Sequence, residues 1–124
     1  MKPGLKIGAI QRWKTIVDET MMARFHDGLV HPLYGTSTAV QHMEWVSRQH
    51  ILPYLEPGEE GMGSEVWIQH KASAAIGTTI EITAEVSEIT PKFIRCETTI
   101  VALESGLLLA TGFVVQALVR RKLP

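Results

Sequence analysis

Residues 37–52 read STAVQHMEWVSRQHIL and carry apolar side chains at the spacing of an α-helix. With successive residues about 100° apart, one arc of this helix is apolar and is formed by Ala39, Val40, Met43, Val46 and Ile51. Pro53 follows and cannot continue the helix, because it lacks a backbone N–H. The stretch therefore predicts one amphipathic helix that ends at about Leu52.

Downstream of this helix the hydrophobic period changes from about 3.6 to about 2, which is the period of β-strands. The composition of residues 56–63, EPGEEGMG, predicts a loop. Alternating apolar residues then predict strands over residues 64–74, 78–90, 93–103 and 107–119. Short connections, such as the Ser105-Gly106 hairpin, make neighbouring strands antiparallel.

The chain before the helix gives weaker signals. Residues 14–18 (KTIVD) predict a first short strand, and Thr20 caps a short helical piece over residues 21–25. Residues 28–34 contain Pro32 and are interpreted as an irregular loop. The whole chain, residues 1–124, is predicted to form a single α+β domain, with one long central helix wrapped by an antiparallel sheet of about five strands.

The last predicted strand, residues 107–119, is apolar on both faces. One helix covers only one face of a sheet, so the outer face or edge of this strand needs a second cover. A second copy of the chain is the simplest one, which predicts a homodimer or a higher oligomer.

Composition limits the partners and the setting. A formal net charge of −1 argues against binding to nucleic acid, although Arg120, Arg121 and Lys122 form a short basic tail that is either solvated or a binding patch. No apolar stretch reaches the roughly 18 residues of a membrane helix, so no membrane partner is expected. A single cysteine and the absence of a signal-peptide pattern at the start favour the reducing cytoplasm.

Three residues are candidates for chemistry. Glu44 lies at the margin of the apolar helix arc, where a carboxylate is partly removed from water; the alternative is an ordinary boundary residue. His70 shares a strand face with Val66 and Ile68 and so points at the helix, as a catalyst or as a core residue. Thr36 stands at the helix N-terminus, beside free N–H groups that can hold an oxyanion, or it is only an N-cap.

Other reactive residues fit poorly. His31, His42 and His50 lack the spacing of metal ligands, so no metal site is expected, and His42 falls on the polar side of the helix. Cys96 alternates in step with its apolar neighbours, as a small core residue does.

The runs YGTSTAVQHMEW (residues 34–45) and LPYLEPGEEGMGSEVWIQH (residues 52–70) closely resemble the fluoroacetyl-CoA thioesterase group of the hot-dog thioesterase superfamily. The resemblance extends from the opening MKPGLKIG almost to the end of the chain. It implies a hot-dog fold and a homodimer with active sites at the subunit interface.

The resemblance also implies a catalytic set, which falls without gaps on Thr36, Glu44 and His70. Substrate-binding positions implied at the same time are Tyr34, Gly35, Gly63, Val30 and Gln116. Val30 stands where the family's founding enzyme has a phenylalanine lid, and Gln116 stands where it has an arginine. Selectivity for fluoroacetyl-CoA is therefore not expected here.

The predicted activity is hydrolysis of a small or medium acyl-CoA to a free acid and CoA, with no cofactor beyond the CoA of the substrate. Glu44 is nucleophile or general base, His70 acts on the carbonyl or the leaving thiolate, and Thr36 orients Glu44 or water. One alternative is a non-catalytic hot-dog protein that binds CoA esters or hydrophobic acids. A hot-dog hydratase is a further alternative, with its acid–base pair in another place.

Overall fold

The structure is a computed structural model, which describes residues 1–121. Its helix, α1, spans Thr36–Ile51 and continues as a 3-10 turn over Leu52–Tyr54. The strands are β1 (Ile10–Ile16), β2 (Met22–Phe25), β3 (Gly28–Tyr34), β4 (Glu59–His70), β5 (Thr79–Ile89), β6 (Phe93–Ala102) and β7 (Leu108–Arg120). Lys122, the last residue of the predicted basic tail, lies outside the described residues.

Five strands form one antiparallel sheet in the order β1-β5-β6-β7-β4, and β2 pairs with β3 in a separate hairpin. The helix α1 crosses one face of the five-stranded sheet. Its buried residues Ala39, Met43, Val46 and Ile51 are completely or almost completely shielded from solvent. They meet an alternating row on β5, formed by Ile80, Ile82, Ala84 and Val86. This confirms the predicted architecture of one helix on a five-stranded sheet.

Two predictions before the helix are wrong. Residues 21–25 were expected to be helical and residues 28–34 an irregular loop. Only Met21 is helical, as the end of a 3-10 turn over Glu19–Met21, and Met22–Phe25 pair with Gly28–Tyr34 in the β2–β3 hairpin. Gly28 stands where the chain turns from β2 into β3 and has a φ of +117°. This backbone conformation is unfavourable for a residue with a Cβ. Pro32 suggested a break, yet a two-stranded hairpin has open edges where a missing N–H does no harm.

The strand after the helix begins at Glu59, inside the segment that composition predicted to be a loop, and ends at His70. Its glycines serve close packing rather than chain reversal. A Cβ on Gly61 would collide with Cδ1 of Ile51, and a Cβ on Gly63 would lie 3.3 Å from Oε2 of Glu44. Glycine is therefore what allows β4 to run directly beneath α1.

The expectation of a free edge along residues 107–119 is wrong, although Thr111 and Phe113 on the outer face remain partly exposed. The β7 strand is internal, because β6 pairs with one of its edges and β4 with the other. The free edges belong to β1 and β4. Either free edge offers a place for a second copy to pair, and on β4 Met62 is 57% and Val66 36% exposed.

Gly112 on β7 tests this close packing. A Cβ there would collide with the carbonyl oxygen of Trp67 on β4 and lie 2.8 Å from Cε of Met43 on α1. Gly112→Ala should lower the free energy of unfolding by about 3 kcal/mol, because a backbone atom cannot move aside as a side chain can. Thr111→Ala, one residue away on the other face, should change it by less than about 1 kcal/mol. Urea unfolding measures both, and an alanine variant as stable as the parent would contradict this packing.

Candidate active site

Thr36 and His70 are brought together at one end of α1. Thr36 is the first residue of α1 and His70 is the last residue of β4. The Oγ1 of Thr36 lies 2.8 Å from Nδ1 of His70, within hydrogen-bond distance. Gly35 is the N-cap residue, and no side chain caps the helix there. The hydroxyl of Thr36 is thus directed to the imidazole and not to its own helix.

His70 presents its second nitrogen without a partner. Its Nε2 is buried and makes no hydrogen bond to any residue within 1–121. Buried polar atoms are nearly always hydrogen-bonded, and exceptions mark sites that await a ligand or water. If Thr36 donates to Nδ1, the proton of the imidazole stands on Nε2, where a substrate oxygen or sulfur can receive it. The two residues line a cavity of about 470 Å³.

Behind His70 lies an aromatic group that the sequence did not predict. The ring of Tyr34 stands edge-on to that of His70, with centroids 6.1 Å apart. Its phenolic oxygen is 2.7 Å from Nδ1 of His42, and the ring of Trp13 packs against the other side of His42. The placement of His42 on a polar helix face is therefore wrong, because β1 covers that side of the helix.

Burial determines the protonation states of Tyr34 and His42. It raises the pKa of Tyr34, which stays a phenol, and it lowers the pKa of His42, an effect that Asp18 partly opposes. The hydroxyl of Tyr34 therefore donates a hydrogen bond to Nδ1 of a neutral His42. Tyr34, expected to bind substrate, borders the cavity of Thr36 and His70, but its hydroxyl is already hydrogen-bonded to His42.

Glu44 lies in a different cavity of about 280 Å³, which it shares with Gly63 and Gln116. Its carboxylate stands against β4, since Oε2 is only 3.3 Å from where a Cβ of Gly63 would be. Within residues 1–121 of one chain, Glu44 makes no hydrogen bond to Thr36 or His70. The structure thus assembles the predicted set as two halves, Thr36 with His70 and Glu44 with Gly63.

Two other predicted binding residues lie apart from both cavities. The N–H of Gly35 donates to the carbonyl of Met21, and a Cβ would lie 3.1 Å from Cα of Ala23, so Gly35 permits close packing and offers no free N–H. Val30 is 58% exposed and lines neither cavity. Phe25 lines the cavity of Thr36 and His70 instead. Sequence reasoning missed it, because residues 21–25 were expected to be helical.

Other reactive groups are unsuited to catalysis. Residues 1–121 contain no cluster of three or more histidine, cysteine or acidic residues that could hold a metal ion. Burial raises the pKa of the Cys96 thiol to about 11, so this residue is a poor nucleophile. A further cavity of about 710 Å³ opens on the sheet face away from α1, beside Trp67 and Phe113, and no candidate residue lines it. No helix in the described part of the chain is long and apolar enough to cross a membrane.

Comparison with known proteins identifies the family. A family model described as fluoroacetyl-CoA-specific thioesterase matches residues 17–122. The chain belongs to this family of thioester hydrolases. The fluoroacetyl-CoA thioesterase of Streptantibioticus cattleyicolor is 35% identical over 57 residues, a match that spans 46% of this chain and 41% of that enzyme.

Solved structures agree with this membership. A thioesterase superfamily member of Thermus thermophilus superposes with a TM-score of 0.90 at 34% identity, over 98% of this chain and 88% of that chain. A hot-dog-like protein from Thermanaerovibrio acidaminovorans gives a TM-score of 0.82 at 16% identity, over 92% of this chain and 83% of that chain. The predicted hot-dog fold is confirmed.

The lowered pKa of His42 makes stability depend on pH. In the unfolded chain His42 takes up its proton near pH 6.5, whereas the folded protein takes it up only at lower pH. The contribution of His42 is therefore complete above pH 6.5 and is lost as pH falls below it. His42→Gln keeps an acceptor for Tyr34 and should flatten the decline of the melting temperature between pH 7 and 5. The exposed His26→Gln serves as control, and an unchanged decline in His42→Gln would contradict the assignment.

Proposed function

We propose that this protein hydrolyses small or medium uncharged acyl-CoA thioesters, with Thr36, Glu44 and His70 as its catalytic set. The observation that carries the proposal is the Thr36–His70 hydrogen bond, which leaves the buried Nε2 of His70 free to face a substrate. A protein that only binds CoA esters has no need of an unpartnered buried imidazole beside a cavity. Family membership supports the same activity.

Each residue has a role that follows from its position. His70, held by Thr36, polarises the thioester carbonyl or protonates the departing thiolate through Nε2. Glu44 attacks the carbonyl carbon or removes a proton from the attacking water. Thr36 positions His70, rather than Glu44 or water as the sequence suggested. Gly63 and the N-terminus of α1 supply N–H groups for the oxyanion. The proposed reaction uses no cofactor beyond the CoA of the substrate.

The two half-sites are too far apart to act together in one chain. Gly63 and His70 are seven positions apart on β4, a distance of roughly 20 Å along a strand. Thr36 and Glu44 are eight positions apart on α1, roughly 12 Å along its axis. One substrate carbonyl cannot contact both Glu44 and Nε2 of His70 across these separations.

A homodimer formed through the free edge of β4 solves this problem. A two-fold axis near Val66 and Trp67, midway between Gly63 and His70, would pair the two copies of β4 antiparallel. His70 of one protomer would then stand opposite Gly63 of its partner, close to that partner's glutamate. The same pairing would cover the exposed Val66. The other free edge, β1, is shorter and carries Arg12 and Lys14, charges that typically discourage strand pairing.

The cavity beside Glu44 favours a modest acyl group. Its volume in one chain, about 280 Å³, suits a small or medium acyl group. The Glu44 carboxylate repels an acid on the acyl group. Gln116 stands in place of an arginine and Val30 is exposed, so neither residue is expected to select fluoroacetyl over acetyl.

Release of CoA measured with a thiol-reactive dye tests the activity on a panel of acyl-CoAs. Glu44→Gln and His70→Ala should each lower kcat on the order of 10²–10⁴-fold, and the double variant should lose little more than either single one. Thr36→Ala should be milder, since His70 loses only an orienting hydrogen bond.

Glu85→Gln and His26→Ala are the matched controls, because both residues are exposed and stand outside the two cavities. Circular dichroism must show each variant folded. Near-full kcat in Glu44→Gln would contradict the proposed role of Glu44. Binding of acyl-CoA without release of thiol by the parent would mean a binding protein instead, and hydration without release of thiol would mean a hydratase.

A further inference from the structure

Gln116 on β7 is the one described residue of the Glu44 cavity whose polar side chain is almost completely buried and makes no hydrogen bond. Only 3% of Gln116 is exposed, and the residue lines the cavity beside Glu44 and Gly63. Among residues 1–121, its side-chain amide forms no hydrogen bond. Polar side chains buried to this degree are normally paired with protein, water or ligand.

The neighbouring groups do not satisfy the amide. Arg48 donates to the carbonyl of Gly61 at 3.1 Å and to Oε1 of Glu60 at 2.8 Å. Glu60 pairs with Arg48 and also with Arg121 at 3.5 Å, and the hydrogen bond from Arg48 is the main cause that lowers the pKa of Glu60. A Cβ on Gly61 would lie 3.4 Å from Oε1 of Gln116, so a glycine there leaves the amide open toward the cavity.

The amide stands close to the reacting centre. Gln116 is the register partner of Gly63 across the β4–β7 pair. Gly63 in turn is the residue against which the Glu44 carboxylate packs. A substituent on a short acyl chain whose carbonyl is attacked by Glu44 therefore lies within reach of Gln116.

The chemistry of the cavity selects among substituents. A carboxamide offers two N–H donors and one carbonyl acceptor without charge. It can thus donate to a hydroxyl or a ketone oxygen and can accept from a hydroxyl. An anionic substituent would be repelled by the Glu44 carboxylate, and Arg48 already donates hydrogen bonds to Gly61 and Glu60. A purely aliphatic chain would displace water from the amide of Gln116 without replacing its hydrogen bonds, which a site built for hydrogen bonding penalises.

We propose that Gln116 selects acyl-CoA substrates whose short acyl chain carries an uncharged oxygen, either a hydroxyl or an oxo group. The inference rests on the proposed thioesterase function and names its substrate class.

The test compares butyryl-CoA with 3-hydroxybutyryl-CoA and acetoacetyl-CoA, which differ at one acyl carbon. The parent protein should hydrolyse at least one oxygenated substrate with a kcat/KM on the order of ten-fold or more above that for butyryl-CoA. Gln116→Leu, of similar volume, should abolish or invert this ratio. Gln11→Leu, at an exposed glutamine of β1, should leave the ratio unchanged. The comparison on the parent protein stands even if Gln116→Leu fails to fold.

Equal kcat/KM for all three substrates with the parent would overturn the inference and leave the thioesterase function intact. An equal loss of kcat/KM on all three substrates in Gln116→Leu would also overturn it, since Gln116 would then interact with the thioester carbonyl that they share. If no acyl-CoA is hydrolysed, the proposed function fails. The ratio of Kd values for the same three compounds, measured by calorimetry, then decides the inference separately: tighter binding of an oxygenated compound supports it and equal binding overturns it.

Discussion

The packing of α1 against β4 and β7 is the constraint on which the site depends. At Gly61, Gly63 and Gly112 the helix and strands approach so closely that a Cβ would press on Ile51, Glu44 or Met43. This proximity holds the Glu44 carboxylate against the sheet, where solvent reaches only part of it. It also leaves the space into which the amide of Gln116 opens. Larger residues at these glycines would fill the cavity and push the strands away from the helix.

The second determinant is the position of β4 at the edge of the sheet. One strand carries His70 at its end and Gly63 near its middle, so it belongs to both halves of the candidate site. An edge strand with unpaired backbone groups and an exposed Val66 is suited to pairing with another copy of itself. The edge position of β4 thus explains both why the site is incomplete in a single chain and how a second chain would complete it.

The sequence predicted those elements whose hydrophobic period is unbroken. The helix, β5 and β6 lie within a few residues of their expected bounds, and His70 does face the helix. The β2–β3 hairpin was missed because Pro32 suggested a break that a two-stranded hairpin tolerates. The start of β4 was missed because Gly61 and Gly63 suggested a loop, although they serve close packing. Spacing could not place Tyr34 on His42, since that contact depends on how β1 covers the helix. Nor could it reveal that Glu44 and His70 occupy separate cavities.

Subunit complementation tests the central claim, that Glu44 and His70 act together across a dimer interface. Glu44→Gln and His70→Ala are each nearly inactive in this account. When they are mixed in equal amounts and allowed to exchange subunits, half of the dimers are mixed, and each of these contains one intact site. Thiol release should recover to about a quarter of the parent rate. Sedimentation would show that exchange has occurred. No recovery after exchange would mean that both residues act within one chain, which contradicts the shared site.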